Sequence, residues 1–129
     1  MAQAVQLREG LLRLSRRSSG PNWPEYAELD CFACHHSLTK PEDSWRQQSG
    51  YPGRRAGIAT WNRARDVVFH RLAEQVNPDA AGQLQADIHR LSGLLEQLNG
   101  SRAAIAETAN HAAGIADQLA HQLDRKSVV

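Results

Sequence analysis

The stretch NPDAAGQLQADIHRLSGLLEQLNGSRAAIAETANHAAGIADQLAHQL, residues 77–123, decides the fold. Its apolar residues recur every three or four positions in two runs, which predicts two amphipathic helices. The first run is Leu84, Ile88, Leu91, Leu95 and Leu98, and the second is Ile105, Ala109, Ala112, Ala116, Leu119 and Leu123. Asn77 and Pro78 suit the start of the first helix, and Asn99, Gly100 and Ser101 form the link. Because the link is so short, we expect an antiparallel hairpin.

Two further helices are expected upstream. Residues 3–17 form a one-sided pattern of Ala4, Leu7, Leu11 and Leu14. The pattern turns helical again from Thr60, and its expected apolar face is Trp61, Val68, Leu72 and Val76. Between them, Gly, Pro and Ser indicate a loop-rich segment, residues 21–59, here called the Cys/His segment. The prediction is a single mainly α domain, a bundle of about four helices, divided into residues 1–20, 21–59 and 60–129.

Composition narrows the function classes. The chain has 129 residues and a formal net charge of +1, so it lacks the basic footprint of a general nucleic-acid binder. It has no apolar run near the roughly 20 residues that span a bilayer, so we expect no membrane span. Thirteen of the 15 cationic residues are arginine, which reflects either genomic codon bias or binding of carboxylates or phosphates.

The only two cysteines, Cys31 and Cys34, stand in the motif CFACH. C-x-x-C-H is the attachment motif for c-type haem. Its two thiols are spaced to reach the two vinyl groups of the porphyrin, and the following His35 is placed to supply an axial nitrogen to iron. The motif therefore predicts one covalent haem c, with its iron, held by these three residues.

The cysteine pair has three other possible uses. A structural zinc site would need two more ligands, from His36, His70, His89 or His111, none of which forms a typical zinc-ligand pair with another. A thioredoxin-like dithiol is disfavoured because the chain shows no βαβ pattern. A disulfide between residues three apart would close almost no loop and stabilise little.

The stretches CFACHHSL, SWRQQSGYPGRR and WNRAR resemble the haem-binding segment of bacterial multihaem c-type cytochromes, over residues 29–65. The resemblance implies electron transfer and assigns Cys31, Cys34 and His35 to the haem. The chain departs from the family pattern by holding one motif and no export signal. A processed form or fragment of a larger exported protein explains both departures, so we expect a periplasmic or otherwise extracytoplasmic location. The expected partners are redox proteins, with other haem subunits or self-association as alternatives.

The second axial ligand of the iron is restricted by the methionine count. The only methionine is Met1, at the terminus, which leaves bis-histidine ligation or an open site. His70 is the first choice, although it falls opposite the expected Val68/Leu72 face and would otherwise be a surface residue. His111, at the edge of the last helix's stripe, is the alternative distal ligand. His36 adjoins His35 and cannot readily reach the opposite face of the same haem.

Aromatic and arginine residues gather around the motif. All seven aromatic residues, Trp45 among them, lie between residues 23 and 69, where they could cover a porphyrin or pack a loop-rich core. Arg46, Arg54 and Arg55 are candidates for pairing with the haem propionates, or are solvated loop residues. No acid–base set for catalysis is readable, so an electron carrier is favoured over an enzyme. The alternatives are a helical interaction module with a structural Cys/His zinc site and a five-coordinate gas-binding haem protein.

Overall fold

Four α-helices make up most of the described chain. The computed structural model describes residues 2–28, 61–62, 66–97 and 99–126. The helices are α1 (Ala2–Ser19), α2 (Asp66–Val76), α3 (Pro78–Leu95) and α4 (Arg102–Lys126), with a 3-10 turn at Tyr26–Glu28. The mainly α-helical bundle expected from the sequence is confirmed.

Helix α1 buries the face that its sequence pattern predicts. Ala4, Leu7, Leu11 and Leu14 are all buried in the common core. Their three- and four-residue spacing places them on one side of a helix with 3.6 residues per turn. The helix ends at Ser19, and the N–H of the next residue, Gly20, donates to the Arg17 carbonyl at 3.0 Å. Arg16 and Arg17 in the last turn suit the negative end of the helix dipole.

The α3–α4 hairpin follows the expected start and stop signals. The Asn77 side-chain oxygen accepts the Ala80 N–H at 3.1 Å and caps α3, with Pro78 in the first turn. Leu84, Ile88 and Leu91 are buried along α3, and Ile105, Ala109, Ala112, Ala116 and Leu119 along α4. The link needs glycine, because a Cβ at Gly100 would collide with the Leu94 carbonyl oxygen.

The predicted face of α2 was wrong. The helix begins at Asp66, and Trp61, although buried, is not helical. Phe69 and Ala73 face the core, whereas Leu72 is exposed. Phe69 and Ala73 are four residues apart, about one helical turn, so they share a face that is rotated by about 80° from Leu72. The helix therefore turns a different side to the bundle than the pattern of its larger apolar residues suggested.

Helix α4 runs along α1 and makes its most extensive contacts there, with α3 next. Arg8 near the start of α1 pairs with Asp117 late in α4 at 2.6 Å. At the other end, Arg102 Nε donates to the Ser18 carbonyl at 2.7 Å, so the two helices are antiparallel. Alanines line the buried face of α4, and their small side chains allow the neighbouring backbone to approach closely.

Helix α2 closes the bundle by packing mainly against α3. The junction between them is also tied to α4, because Asn77 Nδ2 donates to Gln122 Oε1 at 3.2 Å. Among the described helices, none combines the length and the apolar character that crossing a membrane requires.

Candidate functional site

Most residues of the predicted haem site fall outside the part of the chain that the structure describes. These are Cys31, Cys34, His35, Trp45, Arg46, Arg54 and Arg55, all within residues 29–60. What the structure provides is the bundle that flanks this stretch on both sides, together with His70 and His111.

The two borders of the stretch meet at one point. The Asn62 backbone N–H donates to the Glu28 carbonyl oxygen at 3.1 Å. Glu28 ends the 3-10 turn just before the motif, and Asn62 comes just before α2. Glu28 and Asn62 therefore lie side by side at this junction, and in the sequence His35 follows Glu28, and His70 follows Asn62, by fewer than ten residues.

A buried ion cluster fixes the junction to α1. The Glu28 side chain is only 3% exposed. Its Oε1 accepts from Arg13 Nε at 2.8 Å and from Arg17 Nη1 at 2.8 Å, and its Oε2 accepts from Arg13 Nη2 at 3.2 Å. The bidentate contact is the strong geometry for arginine and a carboxylate. The hydrogen bond to Glu28 raises the pKa of Arg13 above its usual value, so this cation stays charged.

A small pocket lies beside the cluster. Its described lining consists of Leu7, Gly10, Arg13, Ala27, Glu28, Trp61 and Asn62, and its volume is about 70 Å³. Pockets that enclose a cofactor or drug-sized ligand are roughly 300–1,000 Å³. This pocket is therefore too small for a porphyrin. It lies beside the contact between Glu28 and Asn62, both of which line it.

His70 lies in the first half of α2 and is partly buried, with 20% of its side chain exposed. The rotated face of the helix explains this, because His70 is next to the buried Phe69 rather than opposite the core. Its Nε2 lies 3.2 Å from Glu74 Oε1, one helical turn along. Its Nδ1 is buried and has no hydrogen-bond partner among the described residues. A buried ring nitrogen without a partner is uncommon and calls for an explanation.

His111 has a different environment. It is exposed on α4, and its Nδ1 lies 2.6 Å from Asp87 Oδ2 on α3. This contact bridges the two helices of the hairpin. His89 and His121 are also exposed, as their positions in the helical pattern predicted. Across residues 2–28, 61–62, 66–97 and 99–126, no three His, Cys, Asp or Glu side chains cluster closely enough to hold a metal ion.

No pattern of spacing in the sequence indicates the ion cluster around Glu28. Arg13 and Arg17 are four residues apart on α1, which puts them on one side of the helix, but that spacing names no partner. Glu28 lies 11 and 15 residues further along and reaches them only through the tertiary fold. The one available signal was the arginine pair beside the buried Leu14.

Compared with protein-family models, with curated proteins and with solved structures, the chain matches none of them.

Proposed function

We propose that the chain is a c-type haem protein that transfers single electrons. The observation that carries the proposal is the motif Cys31-Phe32-Ala33-Cys34-His35, which contains both cysteines of the chain. The junction between Glu28 and Asn62 supports it, because a large planar cofactor needs a binding segment that is held firmly on a scaffold.

Each residue has a distinct role in this proposal. Cys31 and Cys34 attach the porphyrin through thioether bonds, and His35 supplies the proximal nitrogen. Trp45 shields the ring from water. Arg46, Arg54 and Arg55 pair with the two propionates. The haem itself supplies one-electron exchange between the ferric and ferrous states.

The distal ligand in this proposal is His70. Its buried Nδ1 has no partner among the described residues, and a polar atom in that state is stabilised when it gains a ligand. Glu74 contacts the other ring nitrogen, an arrangement in which carboxylates commonly orient metal-binding histidines. His111 also has a carboxylate, that of Asp87, on one ring nitrogen, but 64% of its side chain is exposed, so it is less suited to a haem enclosed by protein.

The test is a visible spectrum of the full chain, produced behind an export leader in cells with haem-attachment machinery. We expect a red protein whose Soret band stays with the polypeptide after acid-acetone extraction. The double variant Cys31→Ser/Cys34→Ser should lose all colour. A colourless unsubstituted protein would overturn the proposal, and stoichiometric zinc in it would identify the alternative, a helical interaction module with a Cys/His zinc site.

The distal ligand is tested by His70→Ala, with His89→Ala as the matched control on an exposed helical position. Loss of the low-spin bands in His70→Ala alone would support bis-histidine ligation. The same loss in His111→Ala instead would move the assignment to that residue. High-spin bands in the unsubstituted protein would identify an open, gas-binding iron.

The proposed function also sets where the protein works and with what. Covalent haem attachment of this type takes place outside the cytoplasm, so we propose an extracytoplasmic location. The partners would be redox proteins that exchange one electron, with other haem subunits or a second copy of the chain as further possibilities. A membrane-free cell fraction that carries the haem-stained band would test the location.

A further inference from the structure

Glu28 is an unusual residue for its position. Carboxylates are seldom buried unless they are paired. The Glu28 side chain is only 3% exposed, and it is paired with two arginines. It stands three residues before Cys31, at the last described position before the motif. The cluster is therefore placed where it can affect the binding segment directly.

Both the side-chain carboxylate and the backbone carbonyl of Glu28 accept hydrogen bonds from other parts of the chain. Its carboxylate holds Arg13 and Arg17 on α1, and its backbone carbonyl holds the N–H of Asn62. Glu28 thus connects two elements, helix α1 and the residue Asn62 that precedes α2. Elsewhere along α1, the ion pair of Arg8 with Asp117 joins only α1 and α4.

The two arginines differ from the carboxylate in their exposure. Arg13 and Arg17 are 37% and 36% exposed, so both can regain water if Glu28 loses its charge. Replacing Glu28 by Gln would therefore break the attachment without stranding a buried charge, which is the usual cause of unfolding when one partner of a buried pair is removed. Glu28→Gln should therefore loosen the contact between Glu28 and α1 while the bundle stays folded.

We propose that Glu28 is the positioning residue of the site: it anchors Asn62, which precedes α2, to α1 and so fixes His70 relative to the position three residues before Cys31. The effect on haem rests on the proposed function, whereas the anchoring of Asn62 does not. Glu28 acts through the backbone and the two arginines and does not touch the cofactor.

The anchoring is tested by hydrogen exchange of the Asn62 amide in Glu28→Gln. We expect exchange about tenfold faster than in the unsubstituted protein, because loss of charged hydrogen bonds opens the junction locally. The Ile105 amide, bonded to the Ser101 carbonyl in α4, should not change. The matched control Arg8→Gln removes an ion pair of the same helix and should leave Asn62 unaffected. Unchanged Asn62 exchange in Glu28→Gln would overturn the proposal.

Two further measurements complete the test. Arg17→Gln is a milder variant for the case in which Glu28→Gln does not fold. In the double variant Arg17→Gln/Glu28→Gln, the Asn62 amide should exchange no faster than in Glu28→Gln alone.

In the haem-loaded protein, Glu28→Gln should broaden or weaken the low-spin bands, and Arg8→Gln should not. Faster Asn62 exchange with unaltered bands would reduce Glu28 to a structural role. A colourless protein would overturn the proposed function, and Asn62 exchange would still decide the anchoring.

Discussion

The register of α2 makes a quantitative prediction, because two large apolar residues on it have opposite surroundings. Phe69 is 1% exposed and Leu72 is 41% exposed. Truncating a fully buried phenylalanine to alanine costs about 3–5 kcal/mol of unfolding free energy. Full burial of a leucine side chain stabilises by about 1.5–3 kcal/mol, so the enclosed part of Leu72 accounts for about 1–2 kcal/mol.

These values translate into separable melting temperatures. For a chain of this length, 1 kcal/mol shifts the midpoint by about 4 °C. We therefore expect Phe69→Ala to melt about 12–20 °C below the unsubstituted protein and Leu72→Ala about 4–8 °C below it. The assay is thermal unfolding followed by circular dichroism at the helical band, with denaturant titration as the check on the free energies.

The opposite ranking would refute the register. If Leu72→Ala cost as much as Phe69→Ala or more, α2 would present the Val68/Leu72 face to the core, as the sequence pattern suggested. His70 would then point away from the bundle, and the argument for its buried ring nitrogen would fail. Phe69→Leu keeps most of the apolar volume and gives the same ranking if Phe69→Ala does not fold.

Other predictions concern the backbone of the hairpin. Gly100→Ala should destabilise the protein by more than about 1 kcal/mol, because its Cβ meets the Leu94 carbonyl, as a lowered denaturation midpoint would show. Gly114→Ala has open space around it in the middle of α4 and should stabilise by about 0.5–1 kcal/mol; a loss of stability there would contradict the helix geometry. Asn77→Ala removes both the cap on the Ala80 N–H and the hydrogen bond to Gln122 and should cost about 1–2 kcal/mol in the same denaturation assay, and Asn77→Asp should restore only the part due to the cap.

The predictable part of the fold was the part with regular, one-sided patterns. Helices α1, α3 and α4 each carry one stripe of Leu, Ile or Ala, so the spacing alone identifies the buried face. Capping residues such as Asn77 then mark where a helix begins. In these three helices the local preferences and the tertiary packing agree.

Helix α2 lacks that agreement. It is only 11 residues long, and Val67, Val68 and Phe69 are consecutive, so apolar residues point in several directions. The predicted face included Trp61 as the start of the helix. Because Trp61 precedes the helix, its position gives no information about the rotation of α2. Packing against α3 and α4 selects Phe69 and Ala73, and that selection is a property of the neighbours.

The candidate site divides in the same way. A covalent motif is local, so C-x-x-C-H could be read directly, whereas the ion cluster of Glu28 depends on contacts between distant parts of the chain. Patterns of spacing contain no information about which arginine an acid will meet 11 or 15 residues away. The motif is thus visible in the sequence as a prediction, whereas the tertiary contacts of Glu28 are not.

The rotation of α2 and the junction at Glu28 act on the same part of the proposed site. Because Phe69 faces the core, His70 lies at the edge of the bundle with one ring nitrogen buried. Because the Asn62 N–H donates to the Glu28 carbonyl, the described residue that precedes the motif lies beside the residue four positions before α2. A haem held by Cys31 and Cys34 would therefore have its proximal and distal histidines supplied from the two sides of one junction, and a change at Glu28 should alter the iron's ligation without altering either ligand.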